Sequence, residues 1–212
     1  MNVFNKVTLA SLKQNRTRTV VTIIGIMLSA AMICASTTFV ASMQNFVLRY
    51  TVYKTGDWHG AVYDAAYKDY EDIGGSGKVA SATYAQTLGY ARINSANERK
   101  PYLYVLGGDA ASGYFETMPV HLTAGELPKS SSEIILPEHL ATNGKVSYKI
   151  GDTVTFEVGD RILDGKRLGQ INPFFTYDSE IQVEVKNDEK LENTVARTYT
   201  VVGIYERPAF EN

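Results

Sequence analysis

Apolar residues run almost unbroken from Val20 to Val40, VVTIIGIMLSAAMICASTTFV, and no later stretch matches that length. An α-helix rises about 1.5 Å per residue, so the run spans roughly 30 Å, the thickness of a bilayer's hydrocarbon core. The pattern predicts one transmembrane helix over 20–40. Its polar residues are Ser and Thr, whose hydroxyls can bond back to the helix's own carbonyls and so tolerate lipid. Before the run, Phe4, Val7, Leu9 and Leu12 interleave with Asn5, Lys6, Lys13 and Gln14. Two readings fit 1–19: an amphipathic helix lying along the inner membrane surface, or a solvated basic flank. Past Val40, Phe46, Arg49, Tyr50 and Tyr53 recur at helical spacing without lipid-like hydrophobicity, which predicts a helical stalk over 41–56, ended by Gly56 and Asp57. No proline precedes Pro101, so nothing obvious kinks that helix.

From 57 onward the pattern becomes mixed and then almost purely β. Residues 58–63 read as a strand and 65–72 as a short helix stopped by Gly74, Gly75 and Gly77. Residues 78–93 turn β-like, and the polar turn 94–99 leads into a strand over 102–106, so a hairpin is the economical assignment. Asp109 is placed to cap a short helix over 110–117. Beyond it, strands are expected near 122, at 133–136, 153–158, 182–185 and 199–205, with Gly, Asn and Asp at the joints. Apolar and polar residues alternate in 153–158 and 182–185, as a half-buried sheet requires. The fold class is therefore α+β: one N-terminal transmembrane helix, then an outer domain over 57–212 with a mixed α/β subdomain followed by a mostly β subdomain.

Composition narrows the partners. The formal net charge of -2 among 212 residues gives no basic surface for displacing counterions from phosphate, so no nucleic-acid partner is implied. The 14 tyrosines, with many Thr and Val after position 50, suit pleated, half-buried surfaces. The single cysteine, Cys34, lies inside the apolar run, which leaves the outer part no thiol for a disulfide or zinc site.

Charge also orients the span. Lys6, Lys13, Arg16 and Arg18 precede it with no Asp or Glu before Asp57, and positive residues beside a first span stay in the cytoplasm. The amino terminus is expected inside and the main domain extracytoplasmic, in the cell membrane. A cleaved signal peptide shares this layout, with Ala35 and Ser36 as small residues, but the apolar run is long for a signal core. Lipid attachment at Cys34 fits poorly, because Met32 and Ile33 precede it. Within the span, Gly25 and Ser29 are four apart, as are Ala30 and Cys34, and Ala31 and Ala35. Such faces let helices approach closely, which makes Gly25, Ser29, Ala31 and Ala35 helix-packing candidates. Small residues are also simply common in membrane helices.

Catalytic and cofactor signals are weak. His59, His121 and His139 are scattered without metal-ligand spacing. GGSGK at 74–78 lacks a phosphate loop's first glycine, Asp72 standing there, and Val79 occupies the Ser/Thr position. Ser130 to Ser132 have no GxSxG context. NDEKLEN at 187–193 reads as a solvated loop. No catalytic residue, cofactor or metal is assigned.

Two separated sets of residues resemble a known family. LASLKQNRTRTVVTIIGIMLS at 9–29 resembles the opening of MacB/FtsX-like ABC transporter permeases: a short helix, a basic run ending in threonine, then a first span with glycine near its start. LTAGELPKSSSEIIL (122–136), YKIGDTVTF (148–156) and YTVVGIYERP (199–208) resemble the MacB-type periplasmic core domain that the family inserts after its first span. Physically these motifs are turns into strands: Gly125 and Pro128 precede Ile134, and Ile150, Gly151 and Asp152 lead into 153–156. The resemblance implies a membrane-spanning permease without catalysis of its own, coupled to a cytoplasmic ABC ATPase subunit. It also implies other permease spans or a second permease copy as neighbours, and a possible extracytoplasmic protein or peptide partner. Family members continue with further spans, so the chain reads as the N-terminal part of such a permease with its core domain incomplete. The alternative is a single-pass, membrane-anchored extracytoplasmic binding or sensor protein.

Overall fold

The structure is a computed structural model that describes residues 3–208, apart from the side chain of Leu9; the outermost residues of the expected 1–19 and 57–212 segments lie outside the described residues. The chain divides into two compact units, Met1–Thr51 and Val52–Asn212.

The first unit is helical. Helix α1, Val3–Gln14, ends at a turn at Asn15, and helix α2, Arg16–Thr55, follows. At 40 residues α2 is about 60 Å long, roughly twice a hydrocarbon core. It is long and apolar enough to cross a membrane, and none of its residues is buried. The expected back-bonding is present: Ser29 donates to the Gly25 carbonyl at 2.9 Å, Ser36 to Met32 at 2.8 Å and Thr38 to Cys34 at 2.8 Å. Each hydroxyl is thereby satisfied inside its own helix. On α1 the apolar side chains of Phe4, Val7 and Leu12 are all exposed.

The second unit is built on one sheet. Strands β1, Ala85–Arg92, and β2, Tyr102–Gly108, form the expected hairpin, with Tyr90 opposite Tyr104 and Arg92 opposite Tyr102. β3, Leu122–Gly125, β4, Glu133–Pro137, β5, Thr153–Leu163, and the short β6, Lys166–Arg167, lead to a second two-stranded sheet of β7, Phe175–Asp178, and β8, Val183–Lys186. The last strand, β9, Lys190–Tyr205, organises the main sheet. Its first part pairs antiparallel with β5, Thr153 facing Thr200; its end pairs antiparallel with β3 and parallel with β4. β5 in turn pairs with β1. The class is α+β as expected. The earlier mixed segment and the later β segment are parts of a single sheet, because β1 joins β5 across the division the sequence suggested.

One face of this sheet carries the core: Ala91 from β1, Val105 from β2, Phe156 and Val158 from β5, Tyr199 and Val201 from β9, and Leu136 from β4. Positions two apart point the same way in a strand, so the alternation in 153–158 becomes an inward set in which Phe156 and Val158 are buried and Val154, partly buried, packs against them. Leu140, from helix α5 (His139–Asn143), packs with Leu136 and Val201.

Several elements differ from the sequence pattern. Residues 58–63 form no strand, since no described strand pairs with them. The expected 65–72 helix is α3, Tyr67–Gly75. The 110–117 helix is split by Gly113 into a 3₁₀ turn, Ala110–Ser112, and α4, Tyr114–Thr117; Asp109 does cap the turn, accepting from the Ala111 N–H at 3.1 Å. β8 alternates in sequence but pairs only with β7, outside the main sheet, so Val183 and Val185 remain 50% and 40% exposed.

Candidate functional site

The sequence-predicted residues all lie on the two N-terminal helices. Lys6 and Lys13 are on α1; Arg16 and Arg18 are in the first turn of α2, with no acidic residue there to oppose them. Val20, Gly25, Ser29, Ala31, Ala35 and Val40 follow along α2, all exposed. None of them is buried among the described residues. Ser29 and Gly25 are linked only by the hydroxyl-to-carbonyl bond between them.

Two side-chain groups with no local sequence pattern stand out in the outer unit. The first is where the last turn of α2 meets the sheet. His121 directly precedes β3 and Glu206 directly follows β9, and these strands are neighbours, with Leu122 opposite Tyr205. The Glu206 N–H donates to the His121 carbonyl at 2.8 Å, which fixes the two residues side by side. Both hold Tyr53. The rings of Tyr53 and His121 stack with centroids 4.0 Å apart and planes 9° from parallel, and His121 Nε2 lies 2.9 Å from the Tyr53 carbonyl. A carbonyl only accepts, so Nε2 carries the proton of this bond. The Tyr53 hydroxyl donates to Glu206 Oε2 at 2.9 Å, and the carboxylate, by accepting that bond and by its charge, raises the phenol's pKa.

The chain leaves the helix just beyond this clamp at a position that only glycine can fill. Gly56 has φ +95, and a Cβ there would sit 2.5 Å from the Thr117 carbonyl oxygen. Only glycine takes this backbone at so close an approach. The Asp57 N–H donates to Thr117 O at 2.8 Å, and Trp58 Nε1 donates to Thr55 O at 2.6 Å, satisfying one of the helix's terminal carbonyls.

The second group lies on the sheet face opposite the core. Arg161 of β5 and Glu189 are 5% and 6% exposed and form a two-pronged pair, Nε to Oε1 at 2.7 Å and Nη2 to Oε2 at 2.8 Å. The guanidinium also donates to the carbonyls of Gly169 and Asn172, and its carbon lies 5.3 Å from each of the Tyr90 and Tyr102 ring centroids. Burial raises the pKa of both tyrosines. Phe174, buried, meets Tyr102 edge-on at 5.8 Å. The excursion 164–189, which carries β7 and β8, is thus fastened at its root, and Arg99 adds an exposed ion pair to Glu184 of β8. The solvated-loop reading of 187–193 is therefore corrected twice, by the burial of Glu189 and by Lys190 to Asn193 forming the start of β9. The run of charged letters hides one carboxylate whose partner lies 28 residues earlier. The sequence offered no signal for it, since Arg161 lies beyond the strand expected over 153–158 and joins β5 only because that strand runs on to Leu163.

Neither group is built for bond-making chemistry. The clamp joins a helix to a strand pair, and the Arg161 cage is closed by its own acceptors. Among the described residues no group of three or more His, Cys, Asp or Glu is disposed to hold a metal. Burial lowers the pKa of His139, helped by the charge of Arg207.

No curated protein and no solved structure matches the chain. The family model described as the MacB-like periplasmic core domain matches residues 19–212, which takes in α2 from near its start and every strand of the sheet. With a helix long and apolar enough to cross a membrane at the head of an α+β domain, this chain belongs to the MacB-like periplasmic core domain family, a family of ABC-transporter-type permeases.

Proposed function

We propose that this chain is the N-terminal part of a MacB/FtsX-like permease that couples ATP hydrolysis on a cytoplasmic ABC ATPase to movement of its extracytoplasmic domain. The observation that carries this reading is α2, one helix that contains the whole apolar run and also Tyr53, the residue held by the outer sheet. A helix transmits displacement along its axis only where its backbone ladder is unbroken, and no proline interrupts this one. The basic flank of Lys6, Lys13, Arg16 and Arg18 supports an amino terminus inside the cell. Gly25, Ser29, Ala31 and Ala35, exposed on α2, are the surface for close contact with other permease spans or a second permease copy. In this reading hydrolysis resides on the ATPase, and the outer unit offers its surface to a protein or peptide partner.

The test is a flexible Gly-Ser insertion after Val47 in the complete permease with its ATPase. ATP should still be hydrolysed, while the ATP-dependent change in hydrogen exchange of the outer unit disappears. An ATP response that survives the insertion at full size refutes the lever.

A further inference from the structure

We propose that His121 and Glu206 form a latch on Tyr53, and that the closed latch makes the last turn of α2 move with the β3–β9 strand pair. This rests on the permease reading for its role in coupling, but not for its existence. Tyr53 is held in three ways at once: its ring by the His121 ring, its carbonyl by His121 Nε2, and its hydroxyl by Glu206. The two holding residues stand at the ends of adjacent strands and are joined by a backbone hydrogen bond. A pull on Tyr53 is therefore shared by two strands that run in opposite directions into the sheet. β9 carries the load furthest, since it also pairs with β4 and β5 and supplies the core residues Tyr199 and Val201.

The surrounding residues fit this role. Pro119 and Gly56 are buried beside the latch, and Gly56 and Asp57 are tied to Val52 and Thr117 through their backbone N–H groups. The Gly56 bond closes the last turn of α2 on itself, whereas the Asp57 bond to Thr117 ties that turn to the end of α4 and would have to break for the turn to move away. The latch groups themselves are partly exposed, with Tyr53 at 45%. Its strength comes from several modest contacts made together and is removable one contact at a time.

The experiment reads hydrogen exchange of residues 52–57 in the full chain in lipid nanodiscs. His121→Ala removes the stack and the bond to the carbonyl, and should speed exchange there by about tenfold. Tyr53→Phe removes only the hydroxyl bond and should speed it by about threefold. Glu206→Gln keeps an acceptor for the hydroxyl and should leave exchange unaltered. In each variant β5 and the paired part of β9 keep their protection, which separates an open latch from a damaged sheet. Unchanged exchange in His121→Ala overturns the latch, and so does loss of protection spreading through β5 and β9 in both His121→Ala and Tyr53→Phe.

The coupling half is read separately on the permease bound to its ATPase. His121→Ala should leave the hydrolysis rate within about twofold while the ATP-dependent change in the outer unit falls at least about fivefold; an undiminished change overturns that half. If no ATPase binds the permease at all, the permease reading fails, whereas the exchange measurement still decides whether the latch exists.

Discussion

Replacing Glu189 with alanine should release the 164–189 excursion from the sheet. The variant removes both acceptors of the two-pronged pair, at 2.7 and 2.8 Å, and leaves the Arg161 guanidinium at 5% exposure with only two carbonyls and the faces of Tyr90 and Tyr102. Breaking a buried ion pair by deleting one partner costs about 3–5 kcal/mol, because the surviving charge remains desolvated. A domain of this size has a total stability of about 5–15 kcal/mol. The protein has a cheaper escape than unfolding: Arg161 can reach water if the excursion lifts away. The core of Ala91, Phe156, Val158 and Val201 is on the other face and need not be disturbed. Limited proteolysis and hydrogen exchange on the full chain in detergent should therefore show cleavage and rapid exchange confined to 164–189, with β5 and β9 still protected. Combining Arg161→Met with Glu189→Leu removes the stranded charge and should recover most of that protection. An excursion that stays as protected as before in Glu189→Ala, or a double variant as exposed as the single one, would show that the buried pair does not fasten 164–189.

Two further outcomes follow from the local geometry. Gly125→Ala should destabilise the outer unit by at least about 2 kcal/mol: φ is +81, and a Cβ would lie 2.1 Å from the Val202 carbonyl oxygen, so left-handed strain adds to a backbone clash; a melting temperature within about 2 °C of the parent would contradict this. His139 favours its neutral form in the folded state, its pKa lowered by burial and then by Arg207. The unfolded chain then binds the proton more readily, so this stability is complete above the ordinary histidine pKa of about 6.5 and is lost as pH falls below it. Melting temperatures taken from pH 7.5 down to 5.5 should fall less steeply in His139→Gln, and parallel slopes would exclude the histidine as a source.

The elements that were readable from sequence are those governed by short-range periodicity. α2 declares itself through a run too long and apolar for anything but a membrane or a core, and its hydroxyls bond to the carbonyls one turn back, as spacing alone requires. The β1–β2 hairpin, the Asp109 cap and the inward set of β5 are likewise consequences of neighbours a few residues apart. Residues 58–63 and β8 show where periodicity runs out. Both look like strands, yet the first finds no partner and the second pairs outside the main sheet. A strand is completed by hydrogen bonds to another strand, and nothing in a strand's own residues says whether that partner arrives.

The sequence by itself determined the membrane-length helix, its basic flank, the α+β class and the family motifs, because each rests on composition or on spacings within a few turns. Tertiary structure alone decided that the two apparent subdomains share one sheet, that Glu189 is a buried partner of Arg161, and that Tyr53 is held by His121 and Glu206. Those contacts join residues separated by 28, 68 and 153 positions. Side chains that far apart meet only because β9 crosses the sheet and delivers Glu206 beside His121, and no local pattern encodes that encounter.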